Sequence, residues 1–157
     1  MIKKIIGVIV AAAVLMTCNI PVYAEEETPA AYIEEDLRLM SSIIFLEAGN
    51  QCYEGQQAVG IVVMNRVESE LYPNTVSEVL WQSGQFFNPS CKSFWYSCLN
   101  KYDNGEIPES CINAAIYALE KNKNIYYNNN VINFSDFLFF ARYRKDCRVK
   151  IQDHQFS

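Results

Sequence analysis

Histidine is nearly missing from this 157-residue chain, which has only His154, so imidazole-rich metal centres are disfavoured from the outset. The cysteines do not make up for it. None forms the close CxxC pair that zinc sites favour, and after the leader the nearest two, Cys91 and Cys98, stand seven residues apart. Basic residues are also in deficit: 13 Lys and Arg against 18 Asp and Glu leave a net charge of −5. With no basic stripe, phosphate-driven nucleic-acid binding is disfavoured. Long apolar runs are absent as well. The run from Ile5 to Met16 falls short of the roughly 20 apolar residues a membrane span needs, and no later segment approaches that length. No internal repeat is present, and Asn128 to Asn130 is too short to count as low complexity.

What is present begins with the layout of a secretory signal over residues 1–24: basic Lys3 and Lys4, the apolar run, then the small-residue exit Val22-Tyr23-Ala24. Lipidation at Cys18 is a competing reading, but Thr17 is bulkier than the residue a lipobox requires there. Residues 25–31 read as a short, acidic, Pro-containing leader. Residues 32–157 then form one domain, exported to the exterior or the cell wall, with no stable membrane insertion once the signal is gone. Losing Lys3 and Lys4 leaves 11 basic residues against 18 acidic ones, or −7. Cys52, Cys91, Cys98, Cys111 and Cys147 remain, and outside the cell such a set points to one or two disulfides with one thiol left over. Cys91 with Cys98 would clip a local loop, although spacing alone does not decide the pairing.

Apolar residues at Ile33, Leu37, Met40 and Ile44 mark one face of a first helix over Tyr32 to Ala48, and Glu47 extends that stripe. Gly49 and Asn50 predict a left-handed stop. A second helix from Tyr53 to about Ser69 has a broad apolar face and should be largely buried. Thr75 to Glu78 has the form of a capping box opening a short helix through Trp81, which Ser83-Gly84 ends. From Gln85 to Gly105 the aromatic, Asn and Ser content shows no clear period, and the expectation is a long, disulfide-stiffened loop with short helical turns. Pro108 starts a fourth helix with a small-residue face at Cys111, Ala114, Ala115, Ala118 and Leu119. Ile125 to Phe156 reads as extended segments with one or two hairpins. The fold class is therefore α+β, mainly α, with a small β element.

Glu47 is the informative carboxylate. A carboxylic acid serves as a general acid near neutral pH only when its surroundings raise its pKa. An apolar helix face and the negative end of the helix dipole both push that way. The pattern alone favours a glutamate that merely ends a helix and points into water.

The run Glu47 to Arg66, EAGNQCYEGQQAVGIVVMNR, resembles the motif of the SleB-type cell-wall hydrolases, the family of spore cortex-lytic enzymes. Tyr72-Pro73-Asn74-Thr75, Gly84-Gln85-Phe86, the helix around Ala114 to Leu119, Tyr126-Tyr127-Asn129 and Ile151 to Phe156 follow in matching order. The resemblance implies a lysozyme-like domain acting on peptidoglycan of vegetative wall or spore cortex, without metal or organic cofactor. It implies that Glu47 protonates the glycosidic oxygen between N-acetylmuramic acid and N-acetylglucosamine, with the muramic 6-hydroxyl closing a 1,6-anhydro end. Two departures stand out. Gln51 occupies a position where many members have a second Glu, and the family's Gly-Asn-His-x-Phe-Tyr appears as Gln152-Asp153-His154-Gln155-Phe156-Ser157. Glu54 is the only other nearby carboxylate, and its place at the start of the second helix suits a dipole-stabilising role.

Gln85, Tyr126, Asn129 and His154 are the candidate substrate-binding residues, since amides, phenols and imidazoles can read sugar hydroxyls and acetamido groups; each has an equally simple role in core or turn. Trp81, Phe86, Trp95 and the cluster from Phe137 to Tyr143 could stack on sugar rings or fill the core. Asn65-Arg66 reads as a brace for the site. The expected activity is that of a lytic transglycosylase. The rivals are an N-acetylmuramidase using water, which would ordinarily call for a carboxylate pair, and a catalytically idle wall-binding protein.

Overall fold

The computed structural model describes residues 32–82, 85–86 and 92–157. The expected signal, leader and Ser83-Gly84 stop lie outside those residues. Helix α1 (Glu34–Ala48) opens with Glu34, Glu35 and Asp36 in its first turn, where carboxylates complement the partial positive charge of the helix start. Leu39, Met40, Ile43, Ile44 and Ala48 are buried along it, as are Ser41 and Ser42, because neighbouring helices enclose it on more than one side. Its end departs from expectation. Gly49 is right-handed, with φ −61°, and its N–H donates to the Phe45 carbonyl at 3.1 Å. Glycine is needed there for space, since a Cβ would lie 2.5 Å from the Phe45 carbonyl oxygen.

Helix α2 (Tyr53–Glu68) is buried from Gly55 to Arg66. At Gly60 an added Cβ would meet the Ala118 Cβ and Ile44 Cδ1, both at 3.0 Å, which locates the close approach of three helices. The short helix α3 (Val76–Trp81) starts as expected: the Glu78 N–H donates to the Thr75 hydroxyl at 3.2 Å, and that hydroxyl donates to the Glu78 carboxylate at 2.8 Å.

The segment expected to be a loop contains a full helix, α4 (Lys92–Asp103), packed against α1. Trp95, Cys98 and Leu99 are its buried residues, and the half-buried Tyr102 continues their helical spacing. Exposed Phe94 and Tyr96 mask that period in the sequence. Arg38 joins α1 to the end of α4, donating from Nε and Nη2 to the two Asp103 carboxylate oxygens at 2.6 and 2.7 Å. Helix α5 (Glu109–Leu119) follows Pro108 as expected and buries Cys111, Ala114, Ala115, Ala118 and Leu119.

The chain then turns to strands. β1 (Asn124–Tyr127) and β2 (Asn130–Asn133) pair as a hairpin with Tyr127 opposite Asn130. Asn128 and Asn129 both have positive φ, 50° and 61°, the geometry a two-residue hairpin turn requires. β3 (Phe140–Ala141), β4 (Val149–Ile151) and β5 (His154–Phe156) make a second antiparallel sheet in the order β3-β5-β4. Its Ile151 and Phe156 join Phe134 and Phe137 in the core. The mainly helical, lysozyme-like α+β architecture is as expected. The disulfide expectation is corrected for the described cysteines: Cys52, Cys98, Cys111 and Cys147 are free thiols, and Cys91 lies outside the described residues. Cys98 and Cys111 are buried among core side chains on two separate helices, where they fill space as small apolar groups. No helix among the described residues is long and apolar enough to cross a membrane.

Candidate active site

The last turn of α1 delivers Glu47 to the point where two pockets meet. One, of about 300 Å³, is lined by Glu47, Asn50, Gln51, Phe140, Arg142, Asp153 and His154. The other, of about 260 Å³, is lined by Glu47, Arg66, Gln85, Phe86, Phe139, Phe140 and Arg144. Because Glu47 and Phe140 line both, the two form one groove with the carboxyl at its waist. Burial raises the Glu47 carboxyl above the ordinary value of 4.5. No carboxylate or cation contributes to that shift, so desolvation alone favours the protonated acid. A larger pocket of about 410 Å³ lies at the other end of α1. Its carboxylates, Glu35 and Asp36, belong to the acidic first turn, and most of its named walls, such as Leu39, Met64 and Leu119, are apolar.

Of the residues singled out in the sequence, the fold brings Gln85 and His154 to Glu47, one in each pocket. His154 is only 8% exposed, its ring tilted against Phe140 and edge-on to Phe156 at centroid distances of 5.3 and 6.2 Å, and its Nδ1 has no partner among the described residues. Burial lowers its pKa, with Arg142 acting in the same direction and Asp153 against it. A neutral imidazole is the result at neutral pH.

Tyr126 and Asn129 are not brought to Glu47. Tyr126 lines a separate pocket with Tyr53, Glu54, Gln57, Tyr117, Asn124 and Val131, and its hydroxyl donates to Asn129 Oδ1 at 3.3 Å. Asn129 has a backbone role, since Asn tolerates the left-handed conformation the hairpin turn imposes. Glu54 lies in the first turn of α2 and in that same separate pocket. Among the aromatic candidates, Trp95 and Phe137 are core, whereas Phe86, Phe139 and Phe140 face the groove.

Asp153 is the carboxylate that sequence reasoning missed. It lines the same pocket as Glu47, in the two-residue turn between β4 and β5, and Gln51 holds it there. The Gln51 amide nitrogen donates to Asn50 Oδ1 at 2.9 Å and to Asp153 Oδ2 at 3.3 Å, while the Asp153 N–H donates to Gln51 Oε1 at 3.2 Å. Gln152 precedes it with φ 46°, and its side-chain oxygen accepts from the Cys52 N–H at the start of α2. The two departures noted in the sequence therefore meet in space. Glutamine at 51 and aspartate at 153 form a hydrogen-bonded pair. Gln51→Glu alone should bring two carboxylates together. It is expected to lower stability at pH 7 by at least about 1.4 kcal/mol, the equivalent of one pKa unit, and to recover toward pH 4. Thermal melts at both pH values read this, and adding Asp153→Asn should restore the wild-type value at pH 7.

Asn65 and Arg66 hold the groove's other wall. The Asn65 amide donates to the carbonyls of Phe134 and Phe137 at 2.6 and 2.7 Å and accepts from the Lys123 ammonium at 2.7 Å. Arg66 Nε donates to the Leu138 carbonyl at 2.8 Å. Together they tie α2 to the segment that leads into Phe139 and Phe140. Arg142 and Arg144 also line the groove. The sequence signal that could have found them, a run of cations just before a candidate imidazole, is too common on surfaces to be specific.

Comparison with known proteins adds a family. Residues 50–157 match the family model described as Cell Wall Hydrolase, a match that starts three residues beyond Glu47. A spore cortex-lytic enzyme of Oceanobacillus iheyensis is 37% identical over 67 residues, 43% of this chain and 24% of that protein. One from Bacillus subtilis is 37% identical over 54 residues, 34% of this chain and 18% of that protein. The aligned stretch thus spans about a quarter or less of these relatives. Among solved structures, the catalytic domain of a germination-specific lytic transglycosylase from Bacillus anthracis superimposes with a TM-score of 0.52 at 23% identity, covering 82% of this chain and 98% of that one. The catalytic domain of the Bacillus cereus SleB protein gives 0.51 at 24%, covering 80% and 91%. At these identities the likeness is one of fold.

Proposed function

The chain belongs to the Cell Wall Hydrolase family, and on that premise we propose that it is a secreted enzyme that cleaves peptidoglycan glycan strands between N-acetylmuramic acid and N-acetylglucosamine, as a lytic transglycosylase with Glu47 as the acid. The observation that carries this reading is the position of Glu47 at the waist of a polar groove, with its carboxyl held toward the protonated form by burial. A glycan strand laid along the groove would place one sugar in each pocket and the bridging oxygen at Glu47. Protonation of that oxygen lets the C–O bond break while positive charge grows on the muramic acid ring. The 6-hydroxyl of the same sugar then attacks the anomeric carbon and gives up its proton to the carboxylate, which leaves a 1,6-anhydro end and restores the acid. Neutral His154 lines the same pocket beside the reacting sugars, with its Nδ1 buried beneath the surface and unpartnered among the described residues.

A second reading is favoured by Asp153. A carboxylate lining the same pocket as the acid is what hydrolysis by water ordinarily uses, and Asp153 supplies it where Gln51 does not. Mass analysis of digested peptidoglycan separates the two. Anhydromuramic ends support the transglycosylase, whereas reducing ends heavier by one water support the muramidase. If Asp153 activates water, Asp153→Asn should lower the yield of reducing ends by about 10²; a transglycosylase should keep its anhydro products. An idle wall-binding protein would bind sacculi and release neither product.

A further inference from the structure

The two halves of the groove differ in charge, and the half on the α2 side has a feature that general glycan binding does not require. Arg66 is 4% exposed, yet no carboxylate pairs with it among the described residues. Its guanidinium lies 4.8 to 5.5 Å from the ring centroids of Phe86, Tyr72 and Phe139 and spends one N–H, Nε, on the Leu138 carbonyl. Its terminal nitrogens have no acceptor among the described residues. Arg144 lines the same pocket, with its guanidinium 4.8 Å from the Phe139 centroid. It is fixed by donating from Nε to the Ser157 hydroxyl at 2.7 Å and from Nη2 to Asp146 at 2.8 Å, which leaves Nη1 unused. Neither arginine pairs with Glu47. Two preoriented cations with spare N–H groups in one half-buried pocket repel each other, and an anion between them relieves that repulsion.

We propose that the Arg66–Arg144 pocket binds a carboxylate carried by the muramic acid at the cut bond, so that the enzyme selects glycan whose muramic acid bears a free anionic substituent. This inference rests on the function proposed above and deepens it. N-acetylglucosamine is neutral, whereas the lactyl group of muramic acid, or the stem peptide attached to it, ends in carboxylates. The charged pocket therefore sets which way round the strand lies, with muramic acid on the arginine side of Glu47 and N-acetylglucosamine on the Asp153 side. Muramic acid closed to a lactam has turned that carboxyl into a neutral amide, so a lactam seated in this pocket at the cut bond is the weaker ligand there.

Binding to the Glu47→Gln protein tests this without turnover, using calorimetry with three muramyl tetrasaccharides: free lactyl acid, lactyl carboxamide, and a form whose lactyl group carries an alanyl-glutamate stem. The free acid should bind about tenfold more tightly than the carboxamide, as expected for a hydrogen bond to a charged group. Adding Arg144→Gln should reduce that ratio to near one, and Arg144→Lys should keep part of it. Tight binding of the stem-bearing form assigns the pocket to stem carboxylates too, whereas binding like the carboxamide assigns it to the lactyl acid alone. Equal affinity for acid and carboxamide, or an Arg144→Gln loss shared equally by both, overturns the carboxylate pocket and leaves the glycan-cleaving function standing. Failure of every tetrasaccharide to bind overturns both.

Discussion

Glu47→Gln should abolish glycan cleavage and, at neutral pH, make the folded protein more stable than the wild type. The amide keeps the shape of the side chain but has no proton to donate to a leaving oxygen, and loss of a positioned general acid lowers kcat by about 10² to 10⁴. The stability change has the opposite sign because burial raises the folded-state pKa of Glu47 above 4.5. In the unfolded chain the group ionises at its ordinary value, so wild-type stability from this group is greatest below 4.5 and falls as pH rises through the raised folded pKa. Glutamine has no such penalty. The difference in melting temperature between variant and wild type should therefore widen from pH 4 to pH 7. The same pKa predicts the alkaline limb of the wild-type activity profile, since the acid must be protonated to act. Equal activity in wild type and variant would remove Glu47 from the chemistry, and a melting difference that does not grow with pH would remove the argument from burial.

Asn65→Ala is expected to have the largest effect on stability, about 2 to 5 kcal/mol, because it strands several polar groups at once. The carbonyls of Phe134 and Phe137 lose their donor, and the Lys123 ammonium loses an acceptor, keeping only Glu68 at 2.9 Å. For a domain of this size the melting temperature should fall by roughly 10 °C. Asn65→Asp tests the cause, since it keeps the acceptor for Lys123 but turns both carbonyls' donor into a repelling oxygen. It should destabilise at least as much as alanine. Urea denaturation with an unchanged m-value would place the effect in the folded state. A loss below about 0.5 kcal/mol, the range of ordinary surface changes, would show that this brace is dispensable.

Local signals in the chain had different reach. The second and fourth expected helices, the Thr75 cap and the Asn-rich hairpin all form, because each depends on residues within one turn or one face of an element. Gly49 ends the helix as the sequence predicts, but not through a left-handed turn: its φ is ordinary, and only the path of the preceding turn makes a Cβ collide with Phe45. Helix α4 was missed because half of its aromatics face outward, which blurs the period that Trp95, Cys98, Leu99 and Tyr102 carry. The cysteine count argued for disulfides from compartment, but the four described thiols stand free on separate elements.

The sequence by itself determined that residue 47 ends a helix on its apolar side and that the chain resembles a cell-wall hydrolase, because both are properties of neighbouring residues and of order along the chain. Tertiary structure alone decided what surrounds that carboxyl. Asp153 and His154 come to it from the β4–β5 hairpin about a hundred residues away, Arg144 from the loop between β3 and β4, and Tyr126 and Asn129 do not come at all. Helix periodicity places a side chain on a face, but which distant groups share that face depends on how α2 and the β3-β5-β4 sheet close over the end of α1. Gln51 shows the difference most clearly: in the sequence it is a missing carboxylate, and in the fold it is the amide that holds Asp153 in place.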